Sequence, residues 1–319
     1  MQKKKLAAAL LAGGLLASAL AMPAGAAWQC LPGNDWVYYT QDGSRKTGWL
    51  RENGYWYYFD ADGVMQRGWE MVGGVWYYFA SSGEMQTGWR EIGGKWYLFD
   101  SSGAMRTGLV HDGQQWYYLD SSGAWTGDDP ETHTAVSATG KTMELKDGIL
   151  YVDGILIANK SAPLPAGYAP GQLTAETMAA FTKLQQAMQA EGLSLWVASG
   201  YRSYSYQQGL YSRYVNRDGR AAADRYSARA GYSEHQTGLA FDVNQVNDSF
   251  ASTPQASWLA AHAHEYGFII RYPQGKEDVT GYQYEPWHLR YLGVETATAV
   301  YESGLCLEEY LGIPSRYIR

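Results

Sequence analysis

The sequence predicts an α+β domain preceded by an all-β solenoid of hairpin repeats. Two observations carry this reading. Trp36, Trp56, Trp76, Trp96 and Trp116 recur every 20 residues, and a fixed period of that length marks a repeat array. Beyond residue 142 the period stops. Helical and strand patterns then follow one another without the regular alternation of a doubly wound sheet, which fits α+β better. A chain of 319 residues is long enough for both parts.

The first segment reads as an address. Lys3, Lys4 and Lys5 form a positive start, Leu6 to Ala21 is an uncharged apolar run, and Ala24-Gly25-Ala26 is a small-residue cleavage site. That order is a secretory signal peptide over residues 1–26. The run is short for a membrane-spanning helix. The protein is therefore expected to be secreted. Net charge is -7, and losing the three lysines leaves the remainder near -10. An acidic chain without a Lys/Arg stripe excludes nucleic acid as a partner, and a monomer is expected. Cys30 and Cys306 are too few for a disulfide framework or a cysteine metal site. One reads as a thiol near the start of the mature chain, the other as buried in a C-terminal helix.

Each repeat has the same plan. Gly48, Gly68, Gly88 and Gly108 share the 20-residue phase, and Trp49, Trp69 and Trp89 follow three of them. Gly54, Gly74 and Gly94 stand between two aromatic runs at hairpin-turn distance. A single hairpin is marginal in water, so the hairpins must stack on one another's aromatics. The array holds more Trp and Tyr than so thin a core can hide. Exposed aromatic faces attract cations or stack on sugars. Residues 28–127 closely resemble the choline-binding, or cell-wall-binding, repeat family. The resemblance implies aromatic boxes for the methylammonium group of choline, with walls from one unit and the next. The candidate walls are Trp49 with Trp56, Trp69 with Trp76, and Trp89 with Trp96; the third wall stays open. Leu109, Leu98 and Leu119 stand where aromatics are expected and put a site at the array's end in doubt. Related repeats grip glucans, so the expected ligand is a choline-bearing teichoic acid or a glycan.

Residues 128–142 are polar, carry no apolar period, and read as a linker. Asp147-Gly148 and Asp153-Gly154 flank short apolar runs and predict a hairpin opening a domain over 143–319. A helix follows, capped by Thr174, with Met178, Phe181, Leu184 and Met188 on one face and Gly192 at its end. Leu193, Leu195 and Val197 suggest a strand running to Ser199. A helix starts near Tyr204, and another starts with Thr253 as cap and Pro254 at its first position, stopping at Gly267. Strand patterns occupy Leu239–Val243 and Phe268–Tyr272.

Two short segments hold the chemistry. Ser233-Glu234-His235-Gln236-Thr237-Gly238-Leu239-Ala240-Phe241-Asp242 places a His and an Asp seven apart, and Glu285-Pro286-Trp287-His288 a Glu and a His three apart. Two His and one Asp are three ligands for Zn²⁺, leaving a fourth position for water. Such a water is acidic enough to attack an amide near neutral pH, and a carboxylate that is not a ligand can move its proton. Glu285 suits that role. In a strand, Asp242 points away from Leu239, Phe241 and Val243. Glu285 and His288 would face opposite ways in a regular strand, so a bulge or kink at Pro286-Trp287 is required. His262, His264, His111 and His133 read as packing or surface residues.

Together with Ser199-Gly200-Tyr201-Arg202-Ser203, these segments resemble the D-alanyl-D-alanine metallo-carboxypeptidases, which include the vancomycin-resistance type and the L,D-carboxypeptidases. The likeness runs from about Leu150 to Gly312. It implies the lysostaphin, D-Ala-D-Ala peptidase and hedgehog fold: a small antiparallel sheet with helices around it. It also implies His235, Asp242 and His288 as zinc ligands and Glu285 as catalytic base. Ala230 departs from the Pro expected before Gly231. A carboxypeptidase must hold a free carboxylate, which Arg does best through a bidentate fork. Arg202 follows the Leu193–Ser199 strand, and the resemblance assigns it and Gln207 to the substrate. Ser233 is a further candidate. The expected activity is removal of the C-terminal D-Ala from peptidoglycan stem peptides by a D,D-carboxypeptidase. The alternatives are an L,D-carboxypeptidase on tetrapeptide stems and a non-catalytic, zinc-containing wall-binding protein. Retained Glu285 and Arg202 argue against the last.

Overall fold

The computed structural model describes residues 26–317. The expected signal peptide falls outside that range, apart from its last residue. Among the described residues no helix is long and apolar enough to cross a membrane.

Among the described residues the repeats form five two-stranded antiparallel hairpins, from Ala27–Cys30 with Trp36–Tyr39 to Gly108–His111 with Trp116–Leu119. In the second, Glu52 pairs with Tyr55 across Asn53-Gly54, and both turn residues have positive φ, 50° and 86°. That is the two-residue turn whose twist matches its strands. The described residues form two compact units: 26–70 with Phe79–Met85, and Met71–Tyr78 with 86–317. Within the first, the Met65 and Met85 amides donate to the carbonyls of Trp36 and Trp56 at 2.7 and 2.8 Å. Within the second, Met105 and Trp125 do the same to Trp76 and Trp96 at 2.9 and 2.8 Å. The same backbone stitch thus recurs with the sequence period inside each unit and ties successive marginal hairpins together there. Phe59, Phe79, Phe99 and Leu119 are fully buried and hold the 20-residue phase in the core.

The second unit opens differently from the sequence expectation. Residues 128–142 carry a short 3-10 turn, Pro130–Thr132, and a strand, Thr134–Val136. That strand is the edge of a four-stranded meander with Thr142–Lys146, Ile149–Val152 and Ile155–Leu156. The last hairpin packs onto the meander: Leu109 joins a core with Ala135, Leu145, Leu150 and Val152. The Trp116 indole donates to the Gly148 carbonyl at 3.0 Å, and Tyr118 stacks on His133 at 4.0 Å. Leu109, which breaks the aromatic pattern, is therefore core of this unit. A chain shortened to 143–319 loses these groups. Given about 1.5–3 kcal/mol per large apolar side chain buried, it should be at least about 3 kcal/mol less stable than residues 86–319. Thermal melts of the two fragments check this, and equal midpoints would contradict it.

The second sheet has the order Val197–Ser199, Ala240–Val243, Glu285–Tyr291, Phe268–Tyr272, all antiparallel neighbours. Helices Ala175–Ala190, Tyr204–Asp218, Pro254–His262 and Val294–Ser303 surround it. Thr174, Ser203 and Thr253 cap the first three through their side-chain oxygens. Phe181, Leu184, Met188, Phe241, Val243, Leu259, Phe268, Trp287 and Leu289 share the core. Met178 does not belong to it: Thr177 is buried instead, and Met178 is 40% exposed. The buried stripe steps 177, 181, 184, 188, and Met178 lies one residue off it. The strand toward Ser199 begins only at Val197, because Leu193 and Leu195 approach outside the ladder. Both cysteines are free, Cys30 exposed and Cys306 buried.

Candidate active site

Three neighbouring segments converge at one end of this sheet. Asp242 sits on a central strand, paired with Ser199 on one side and His288 on the other. His235 comes from the 3-10 turn Glu234–Thr237, which ends in Gly238 with φ 72°. A Cβ at Gly238 would lie 2.6 Å from the Gln172 carbonyl oxygen, so both the backbone angle and the space call for glycine here. The bend returns His235 to the strand that Gly238 leads into. The five residues from Glu285 to Leu289 lie opposite only three on the partner strand, Ile270 to Tyr272. This bulge puts Glu285 and His288 on one side, 3.5 Å apart through Glu285 Oε2 and His288 Nδ1.

His235, Asp242 and His288 are all buried, and one ligand atom from each lies within 4.8 Å of the others. His235 Nε2 is 3.3 Å from Asp242 Oδ2, and His288 Nδ1 is 3.2 Å from Asp242 Oδ1. His235 Nδ1 lies 2.7 Å from the Gly200 carbonyl. A carbonyl only accepts, so Nδ1 carries the proton and Nε2 keeps its lone pair toward the cluster. Two imidazoles and a carboxylate converging in this way are a donor set that would suit zinc. Burial acts to raise the Asp242 pKa, but His235 and His288 hold it well below the usual carboxylate range. Burial pushes the Glu285 pKa up, only partly opposed by His288. These two carboxylates suit different tasks, one as a permanent anion and one as a proton carrier.

A cleft of about 360 Å³ opens over the cluster, lined among others by Arg202, Ser233, His235, Asp242, Glu285 and His288. Arg202 donates to Ser199 Oγ at 3.0 Å and to Asp242 Oδ2 at 2.5 Å. It is thus tied to the same carboxylate that faces both histidines. Gln207 does not line this cleft. It is 1% exposed, and its amide donates to the Ala228 carbonyl at 2.7 Å. It braces the Ser227–Ala228 segment, which does line the cleft. His262 bonds Glu265, and His264 stacks on Tyr301 at 3.9 Å, as packing residues do.

The repeat aromatics form boxes. In the first unit Trp49 meets Trp56 edge to face at 6.1 Å, and Trp28 meets Trp36 at 6.4 Å and Tyr57 at 4.9 Å. In the second, Trp89 meets Trp96 at 6.5 Å, Tyr117 at 4.7 Å and Trp125 at 6.3 Å. Trp69 and Trp76 stand on the paired strands Gly68–Val72 and Val75–Phe79. Trp56, Trp76 and Trp96 are 40–42% exposed, open to a ligand. Tyr117 supplies the open wall beside Trp89 and Trp96, and Tyr57 takes the same place beside Trp28 and Trp36, a pair not among the expected walls. Both belong to one 20-residue series with Tyr77 and Tyr97, a phase already visible in the sequence.

Residues 171–294 match the VanY family model, D-alanyl-D-alanine carboxypeptidase, and residues 46–87 and 86–126 match the choline-binding repeat. The chain is 34% identical to the D-alanyl-D-alanine carboxypeptidase of Enterococcus faecalis over 57% of its own length and 77% of that protein. Among solved structures it is similar to the LdcB LD-carboxypeptidase, at 46% identity and a TM-score of 0.51, covering 56% of this chain and 99% of that one. DacB of Streptococcus pneumoniae D39 is similar at 47% identity and a TM-score of 0.50, with 56% and 99% covered.

Proposed function

The chain belongs to the VanY family of D-alanyl-D-alanine carboxypeptidases, with choline-binding repeats before its catalytic domain, and from that premise we propose a secreted, zinc-dependent enzyme that removes the terminal D-alanine of stem peptides. That it acts as a carboxypeptidase on peptidoglycan peptides follows from the family. The observation supporting the metal is the buried cluster of two histidines and one aspartate beside a separate, raised-pKa glutamate.

Zn²⁺ held by His235 Nε2, His288 Nδ1 and Asp242 would supply a Lewis acid for the scissile carbonyl and lower the pKa of water at its open position. Glu285, at the cleft and 3.5 Å from a ligand nitrogen, takes the proton of the attacking water and delivers it to the leaving amine of D-alanine. Arg202 offers its guanidinium to the terminal carboxylate. Ser233, 4% exposed on the cleft wall, is a further polar contact. Of the two bond types, the L,D reading is favoured over the D,D one expected from sequence. The LdcB LD-carboxypeptidase is 46% identical over 99% of its length, against 34% over 77% for the D-alanyl-D-alanine carboxypeptidase of Enterococcus faecalis. The substrate is then a tetrapeptide stem.

Elemental analysis of the full chain should give one zinc, lost in His235→Ala. Metal content unchanged by that substitution would remove the assignment. We further assign the aromatic boxes to choline on wall polymers, because their exposed edge-to-face rings suit a quaternary ammonium. Free choline should release the chain from choline-bearing walls, and Trp89→Ala should weaken retention. Retention that choline cannot compete would leave wall attachment standing and exclude choline as the ligand.

A further inference from the structure

The two metal-facing imidazoles are not held alike. His235 has a carbonyl behind it. His288 turns Nδ1 to the cluster and Nε2 into the protein, and among the described residues Nε2 has no hydrogen-bond partner. The atom facing it is Glu234 Oε2, 3.6 Å away, itself buried and without a hydrogen bond. Two orphaned buried atoms of complementary chemistry that face one another require an explanation.

Glu234 is 2% exposed, so its charge must be compensated. Arg271 Nε and Arg290 Nη1 both donate to its other oxygen, Oε1, at 2.7 and 2.8 Å. Arg271 also forks onto Glu308 at 2.8 and 2.5 Å, tying in the C-terminal helix Leu307–Leu311. The four side chains balance, two anions against two cations, each at most 2% exposed. With both guanidinium contacts on Oε1, Oε2 is left for the ring. Burial acts to raise the Glu234 pKa, yet the arginines hold it well below the usual range.

We propose that Glu234 is a positioning residue of the metal centre, which fixes the rotation and tautomer of His288 by accepting the Nε2 proton. The proposal rests on the metal reading above. A neutral imidazole that offers Nδ1 to a metal carries its proton on Nε2, and Glu234 Oε2 is the acceptor facing it. Carboxylates behind ligating histidines do this generally. The substitution Glu234→Gln reverses the logic without changing size. An amide NH₂ cannot face two guanidinium groups, so the amide oxygen keeps the arginines and the NH₂ turns to His288. Donor then meets donor unless the His288 proton moves to Nδ1, where the metal must bind.

Zinc alone is the probe, titrated into the metal-stripped full chain against a chromophoric chelator. Wild type should bind one zinc tightly, and Glu234→Gln should bind it about 10–100-fold more weakly with its circular dichroism unchanged. Glu234→Asp, which restores the acceptor, should recover part of the loss. Affinity within twofold of wild type in a folded Glu234→Gln variant would overturn the proposal. If wild type itself binds no zinc, the metal reading fails and the proposal with it. If the Gln variant does not fold, ¹⁵N-histidine spectra of the zinc-loaded wild type decide. A protonated Nε2 at His288 is expected, and a proton on Nδ1 or metal at Nε2 would overturn it.

Discussion

Glu285→Gln is expected to retain zinc and bind substrate normally, yet lose turnover by a factor of at least about 10²–10⁴. The side chain is 7% exposed, lies on the strand that carries His288, and has its pKa raised by burial. A buried carboxyl with a raised pKa accepts a proton more readily than an exposed one. The amide matches its shape and cannot take the proton. The change therefore falls on kcat with KM nearly constant, which separates it from loss of a ligand. Equal kcat in the two proteins would remove Glu285 from the mechanism. A variant that loses its zinc would make Glu285 a ligand.

The largest effect on stability is expected for Arg271→Met. Arg271 is 1% exposed and joins Glu234 to Glu308 through three hydrogen bonds of 2.8 Å or less. Its loss leaves Glu308 with the Asn159 amide, at 3.2 Å, in place of a bidentate cation. Breaking a buried pair from one side costs about 3–5 kcal/mol, because the remaining charge is uncompensated. Chemical denaturation of the full chain checks this. Adding Glu308→Leu should restore part of the loss, since both sides of the pair are then gone. A change below about 1 kcal/mol would show that the network is not closed as drawn.

The convergence of His235, Asp242 and His288 was legible because they lie within two short segments whose residue types have few other uses together. The need for a bulge at Pro286-Trp287 was legible from strand alternation alone. The repeats were legible from their period, but the third walls were not, because a tyrosine that recurs every 20 residues can equally well be core. The Glu234 network was not. Arg271, Arg290 and Glu308 are ordinary charged residues at distant positions, and only the folded sheet and last helix bring them together. Gln207 was read as facing substrate, but its helix turns it into the wall behind Ala228. The polar composition of 128–142 concealed an edge strand, since Thr134–Val136 needs only one apolar residue, Ala135, to face the core. Leu109 was read as a defect in a ligand site, and it is instead the contact that joins the last hairpin to the meander.

The most direct measurement is mass spectrometry of purified stem peptides after incubation with the full chain. Tetrapeptide and pentapeptide stems are each supplied free and amidated at the C-terminus. The proposed function predicts loss of a single D-alanine from the free peptides, with the tetrapeptide preferred, and little product from the amidated ones because Arg202 then has no carboxylate to hold. Preference for the pentapeptide would restore the D,D reading within the same mechanism. Equal cleavage of free and amidated peptides, or a cut inside the stem, would contradict a carboxypeptidase altogether.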